Sequence, residues 1–263
     1  MHTSTWTIRL GLLALAAAGC AKSAAGGGTP GEQGRIEFSF QQGCLFGCPL
    51  EQPLLAGTRQ EISVSDPGDA AGIKLSSSKP KVAEFALERA CYCERDDHRD
   101  GRVDIAEDAN CDAVWHKHCD NTILVQGNAA GETFLELRSK DGPLIDRVAV
   151  LVREAARARI EATFANRLGA METSSIDLHT GNKVDLAATL YDDAGRKLLA
   201  GDHVSWAVDD DQVAVLSAWL AGGGRQISAG TGISVQAKGV GKTVLTVTVP
   251  GLEKAIDIKV TAP

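Results

Sequence analysis

The segment from residue 96 to residue 107 reads Asp-Asp-His-Arg-Asp-Gly-Arg-Val-Asp-Ile-Ala-Glu. Asp96, Asp100, Asp104 and Glu107 recur through it at near-regular spacing, and such an array of carboxylates can enclose a hard divalent cation, which takes roughly six to eight oxygen ligands. Gly101 falls where the chain must turn sharply, a conformation glycine adopts without steric cost. Arg102 would contribute its backbone carbonyl rather than its side chain. His98 is the odd member, because a neutral imidazole is a poor ligand for a hard cation. Residues 88–119 carry nine acids against five bases, so a bound cation would offset local repulsion. The bland alternative is an acidic, solvated loop with no ion.

In register, the array resembles the twelve-residue calcium loop of EF-hand proteins. Asp96 takes the first place, His98 the third, Asp100 the fifth, Arg102 the seventh, Asp104 the ninth and Glu107 the bidentate twelfth. The resemblance implies calcium as a cofactor, with the roughly millimolar affinity of extracellular modules. Two features depart from it. His98 replaces the usual acid or amide, and Cys91 and Cys93 stand where an entering helix would be. Val114 and Trp115 suggest a short exiting helix. A rival metal set, His116, His118 and Cys119 with Cys91, has zinc or copper spacing, but it needs thiolates that oxidised cysteines do not supply.

The chain has seven cysteines. Setting Cys20 aside leaves an even number, Cys44, Cys48, Cys91, Cys93, Cys111 and Cys119, which in an exported chain reads as a disulfide framework of open connectivity. Cys91 and Cys93 are too close to pair with each other. The expected arrangement ties them to Cys111 and Cys119 and leaves Cys44 with Cys48. Bridges are needed because residues 91–119 hold too few apolar side chains to support a core.

The elements that must position this segment are revealed by an internal repeat. Thr122–Leu137 (TILVQGNAAGETFLEL) matches Gly232–Val249 at a constant offset of 110, with Gly131 on Gly241 and Thr133 on Thr243. Lys81–Phe85 (KVAEF) matches Gln212–Leu216 (QVAVL) at 131, and Gly57–Val64 matches Gly181–Ala188 at 124. Two equivalent modules result, the first carrying extra residues between its KVAEF and TILVQG strands. Period-2 alternation recurs in short runs such as Ile36, Phe38 and Phe40, with turns between, as in a β-sandwich. The expected fold is all-β: two tandem immunoglobulin-like β-sandwiches over residues 35–153 and 157–262, the first with a Cys-rich, Asp-rich insertion at 88–121. Trp206 is expected to anchor the second core. The four residues Glu154–Arg157 between modules leave little room for pivoting, so an end-to-end rod is expected.

The second module resembles the bacterial immunoglobulin-like group 2 family. The residues that carry the resemblance are Gly181 before Val184-Asp185-Leu186, then Val204-Ser205-Trp206, Gln212–Val215 and, most of all, Gly232–Thr243. Ala218–Gly230 departs from it as a longer stretch, readable as a protruding hairpin. The family implies adhesion or spacing roles at bacterial surfaces and no catalytic residues.

Residues 1–19 read as a signal peptide: Arg9, then the apolar run Leu10–Ala18, too short to span a bilayer. The run ends at Ala17-Ala18-Gly19-Cys20, which resembles the lipobox of bacterial lipoproteins. That resemblance implies lipidation of Cys20, a membrane partner through the lipid, and, with Ala21 rather than Asp next, the outer membrane. Residues 20–34 are then a Gly-rich tether spanning about 20 Å.

A net charge of −7 argues against nucleic acid, whose binding rests on Lys and Arg against phosphates. Neither a nucleophile elbow nor a zinc-protease or phosphate-loop motif occurs, and His179 and His203 read as surface residues beside turns. The acid runs Asp192-Asp193 and Asp209–Asp211 fall between strands, where Asp favours turns. The chain is expected to be no enzyme but a lipid-anchored binding, adhesion or spacer module with a protein or glycan partner. An accessory or sensory subunit with a metal-sensing loop is the alternative.

Overall fold

The computed structural model describes residues 28–41, 48–64, 73–94, 102–106, 109–112, 115–163, 171–200, 203–217, 223–224, 226–228 and 232–263. Among the described residues there is no helix, and every regular element is a strand.

The first module opens with β1 (Thr29–Pro30), β2 (Glu37–Phe40), β3 (Cys48–Pro49), β4 (Leu54–Leu55), β5 (Arg59–Val64) and β6 (Lys74–Ser77). It continues with β7 (Ala83–Glu94), β8 (Arg102–Ile105), β9 (His116–Gly127), β10 (Gly131–Arg138) and β11 (Leu144–Arg153). The second module contributes β12 (Arg157–Thr163), β13 (Met171–Glu172), β14 (Ser175–His179), β15 (Lys183–Tyr191), β16 (Ser205–Val208) and β17 (Ala214–Ser217). It ends with β18 (Gly223–Gly224), β19 (Gln226–Ser228), β20 (Gly232–Ala237), β21 (Gly241–Val249) and β22 (Leu252–Thr261).

In the first module a sheet ordered β1-β2-β5-β9-β7-β8, with β3 beside β2, faces one ordered β4-β11-β10-β6. In the second, β13-β12-β15-β20-β17-β18 faces β14-β22-β21-β16-β19. Without the added edge strands, β2-β5-β9-β7 corresponds to β12-β15-β20-β17, and β4-β11-β10-β6 to β14-β22-β21-β16. Each is the immunoglobulin arrangement, strands A-B-E-D against G-F-C. The short strands β4 and β14 run parallel to β11 and β22, so the chain crosses from one sheet to the other early in each module. The chain is therefore all-β, two tandem immunoglobulin-like sandwiches.

The repeat holds at the level of single atoms. Thr133 Oγ1 accepts the amide of Lys79 at 3.0 Å, and Thr243 Oγ1 accepts that of Asp210 at 2.9 Å. A Cβ on Gly131 would lie 2.8 Å from Val82 Cγ2, and one on Gly241 equally close to Val213 Cγ2. The amide of Gly57 donates to Gly127 O at 2.7 Å, and that of Gly181 to Ala237 O at 2.9 Å. Gly57 and Gly181 hold φ values of 82° and 89°, which favour glycine. The three offsets of 110, 124 and 131 thus connect the same bonds in both sandwiches.

Alternation builds the cores. Phe38, Phe40, Ile123 and Val125 from one sheet meet Leu135, Leu137, Val148 and Val150 from the other. In the second module Val184, Leu186 and Val235 meet Trp206, Leu245, Val247 and Ile258. Trp206 is fully buried, as its position between two sheets requires. Within the stretch expected as a protruding hairpin, Gly223–Gly224 pair with β17 and Gln226–Ser228 pair with β16; residues 218–222, 225, 229 and 230 lie outside the described residues. These two short strands, β18 and β19, each cover one edge of a sheet, where exposed ladder groups would otherwise invite further pairing.

Candidate functional site

The inserted segment forms a ribbon that continues the sheet. β7 and β9 stay paired in unbroken register from Ala83↔Gly127 to Glu94↔His116. β5 accompanies β9 only as far as Ile123, so from Glu88↔Thr122 onward the pair leaves the sandwich behind. At about 3.3 Å per residue the extension is roughly 20 Å long. The β7 strand of its neck, Glu88–Ala90, is exposed on both faces, as are Ala86 and Leu87 just before it. Such a strand carries no apolar alternation, which is why its sequence reads as a loop.

Beyond the neck the two faces differ again. Cys91 and Cys93 are buried at 4% and 6% exposure, on the face that Ala83 occupies within the sandwich. Cys91 bonds Cys119, its direct cross-strand partner, with Cα atoms 4.0 Å apart. Cys93 bonds Cys111, with Cα atoms 5.6 Å apart. Lys117 Nζ donates to Ala109 O at 2.6 Å. β8 pairs with the end of β7, setting Val103 opposite Cys93 and Asp104 opposite Tyr92. Two disulfides and a third strand therefore make a stapled head on an exposed neck. Val103 remains 51% exposed at its edge.

Of the loop positions expected to bind calcium, Arg102 and Asp104 lie on β8. Asp96, His98, Asp100 and Glu107 lie outside the described residues. Among the described residues no three His, Cys, Asp or Glu side chains converge as a metal site. Trp115 is not helical: its amide closes a turn onto Asp112 O at 2.9 Å and β9 begins at His116, because the ladder to Glu94 takes up the backbone there. Val114 is outside the described residues. So are Cys20 and Cys44, while Cys48 is buried and disulfide-bonded.

Two buried carboxylates were invisible as such in the sequence. Asp146 is fully buried and accepts the amides of Gln33, Arg35, Ile36 and Arg147 at 2.8–3.0 Å. Burial acts to raise its carboxyl, but the four amides outweigh it and hold the group below the ordinary carboxylate range. Asp146 thereby fixes the turn leading into β2 from more than a hundred residues away. Its signal is phase, because Asp146 occupies the inward series of Val148, Val150 and Val152. Asp192, expected as part of a turn, is buried rather than solvated. It accepts the Arg196 amide at 2.7 Å and its guanidinium at 2.8 Å. Burial again acts upward, and the Arg196 contacts outweigh it.

Two surface clefts accompany these features. One of about 500 Å³ lies on β21 and β22, lined by Asp177, Asp210, Lys242, Asp257 and Lys259. The other, about 520 Å³, is lined by Glu32, Glu132, Arg147, Arg153 and Arg196. Neither lining includes a histidine or cysteine. Arg147 and Arg196 already engage Glu32 and Asp192.

No protein-family model matches the chain, and no curated protein matches it. Among solved structures it is similar to domains 4 and 5 of the S-layer protein SbsC, at 14% identity over 74% of this chain and 79% of that one, with a TM-score of 0.29. It is similar to invasin, a bacterial integrin-binding protein, at 11% identity over 87% of this chain and 40% of that one, with a TM-score of 0.30. The Yersinia pseudotuberculosis adhesin InvE matches at 11% identity over 87% of this chain and 59% of that one, with a TM-score of 0.29. The immunoglobulin-like assignment itself rests on the strand order and register of this chain.

Proposed function

We propose that the chain is a non-catalytic protein of the bacterial cell envelope, anchored by lipid on Cys20 at the outer membrane, in which two sandwiches carry the stapled arm as a binding element. The observation that carries this reading is the arm itself. A neck whose β7 strand is exposed on both faces contributes little to folding, and two disulfides rigidify a head that no core requires. Rigid presentation lowers the ordering cost of binding. A protein or glycan of the envelope is the partner class. Calcium held by Asp96, Asp100, Asp104, Glu107 and the Arg102 carbonyl would neutralise the acidic segment and stiffen it further.

The test replaces residues 88–122 with Asn-Gly, a turn suited to joining the paired Leu87 and Ile123. The sandwiches should keep their melting transition while recovery of envelope partners by cross-linking is lost. Partner recovery by the shortened protein overturns the reading. Mass spectrometry of the N-terminal peptide tests the anchor, since Cys20→Ser should release the protein from the membrane fraction. The alternative, a sensory subunit, is favoured by the concentration of acidic residues in the sequence that joins β7 to β9. It predicts that calcium changes partner binding rather than arm stability alone.

A further inference from the structure

The two sandwiches exchange a leucine. Leu55 belongs to β4 of the first module, yet it is fully buried in the apolar cluster of the second. Leu199, in the stretch between β15 and β16 of the second module, is buried in the cluster of the first. The exchange is fixed by backbone bonds: Leu55 N donates to Leu199 O at 2.8 Å, and Leu199 N donates to Pro53 O at 2.9 Å. Leu54 and Leu199 form a parallel bridge. A Cβ on Gly57 would come within 3.1 Å of Pro250 Cβ, so the Gly57 backbone packs closely on the proline ring on that side as well.

The segment that delivers Leu199 is itself braced. Tyr191 bridges Lys197, and Asp192 closes the turn by accepting from Arg196. Gly195 takes φ 77° at the tip. Leu198 N then returns to Leu190 O at 2.9 Å, which leaves Leu199 directed the other way, toward the first module. A short connector alone would limit pivoting. Reciprocal burial does more, because separating the modules would open a hole in each core and expose a leucine on each surface.

We infer that the two sandwiches form a single cooperative unit, locked by the Leu55–Leu199 exchange, so that neither core is complete without the other module. The arm's direction is then fixed relative to the second sandwich. This inference does not depend on what the arm binds. A substitution on one module's chain must weaken the other module's core.

Hydrogen exchange on the full mature chain reads this out segment by segment. Leu199→Ala should lower protection about tenfold or more in Phe38–Phe40, Ile123–Val125 and Val148–Val152, although Leu199 belongs to the second module's chain. Leu55→Ala should do the same in Val184–Leu190 and Ile256–Val260. Should either alanine variant fail to fold, Leu199→Val and Leu55→Val should give the same crossed pattern at smaller size. Protection lost only in the module that carries the substitution, or lost in neither, overturns the inference.

Discussion

Cys91 and Cys119 face each other across one rung of the β7–β9 ladder, with their Cα atoms 4.0 Å apart and a disulfide between them. The bridge therefore adds a covalent rung where the neck, its β7 strand exposed on both faces, gives way to the head. Cys93–Cys111 sits one same-face position further along and draws residues 109–112 over the head. Together the bridges confine the inserted segment, which lacks the apolar alternation that holds the rest of β7 and β9 in place.

Removing that rung should loosen the arm and spare the sandwiches. A disulfide closing a loop of this size stabilises by about 3–4 kcal/mol. The double variant Cys91→Ser/Cys119→Ser should be cleaved by protease within residues 88–119 much faster than the parent. The main melting transition should move little. Limited proteolysis with mass spectrometry and calorimetry checks both halves.

The equivalence of the modules predicts equivalent mutational effects. Gly131→Ala and Gly241→Ala each place a methyl 2.8 Å from a valine Cγ2, and overpacking of this kind costs about 1–3 kcal/mol. Val82→Ala should relieve the first and Val213→Ala the second, while the crossed combinations should give no relief. Double-mutant cycles by urea denaturation measure the coupling.

Asp146 makes stability depend on acid in a defined direction. Its carboxyl is held below the unfolded value, so the stabilisation is fully present above the unfolded pKa of roughly 4. It is lost as pH falls through the lower folded value. Asp146→Asn leaves buried amides without a matching acceptor and should cost about 2–3 kcal/mol near neutrality. The gap between variant and parent should shrink with acidification, as followed by melting temperature against pH.

The calcium proposal has its own check. Calorimetric titration of calcium into the mature protein should show weak binding in roughly the millimolar range. Asp100→Ala should abolish both the heat and any calcium-dependent protection of the arm from protease. Unchanged behaviour in the variant rejects the loop as the site.

Much of the scaffold was legible because its signals are local. Gly131, Gly241, Thr133 and Thr243 repeat at fixed offsets, and each does the same job in its own sandwich. Alternation at Phe38–Phe40 or Val148–Val152 announces a strand wherever one face is buried. The pairing of Cys91 and Cys93 with different partners followed from their closeness. The ribbon was not legible, because Ala86–Ala90 face water on both sides and a two-faced polar strand has no period to read. Strand β4 is only two residues long, and nothing in Leu54-Leu55 says which core each enters. Asp146 and the Leu55–Leu199 exchange depend on partners more than a hundred residues distant, which only the assembled sheets bring together.

Photo-crosslinking in the parent cell addresses the central claim, that the arm is where this scaffold meets its partner. A photoreactive residue would replace Val103, 51% exposed on the arm's edge strand, and, separately, Val240, 67% exposed on a turn of the second sandwich. A specific adduct from position 103 with none from 240 is the predicted result. Adducts from 240 alone, or equally from both, would contradict it.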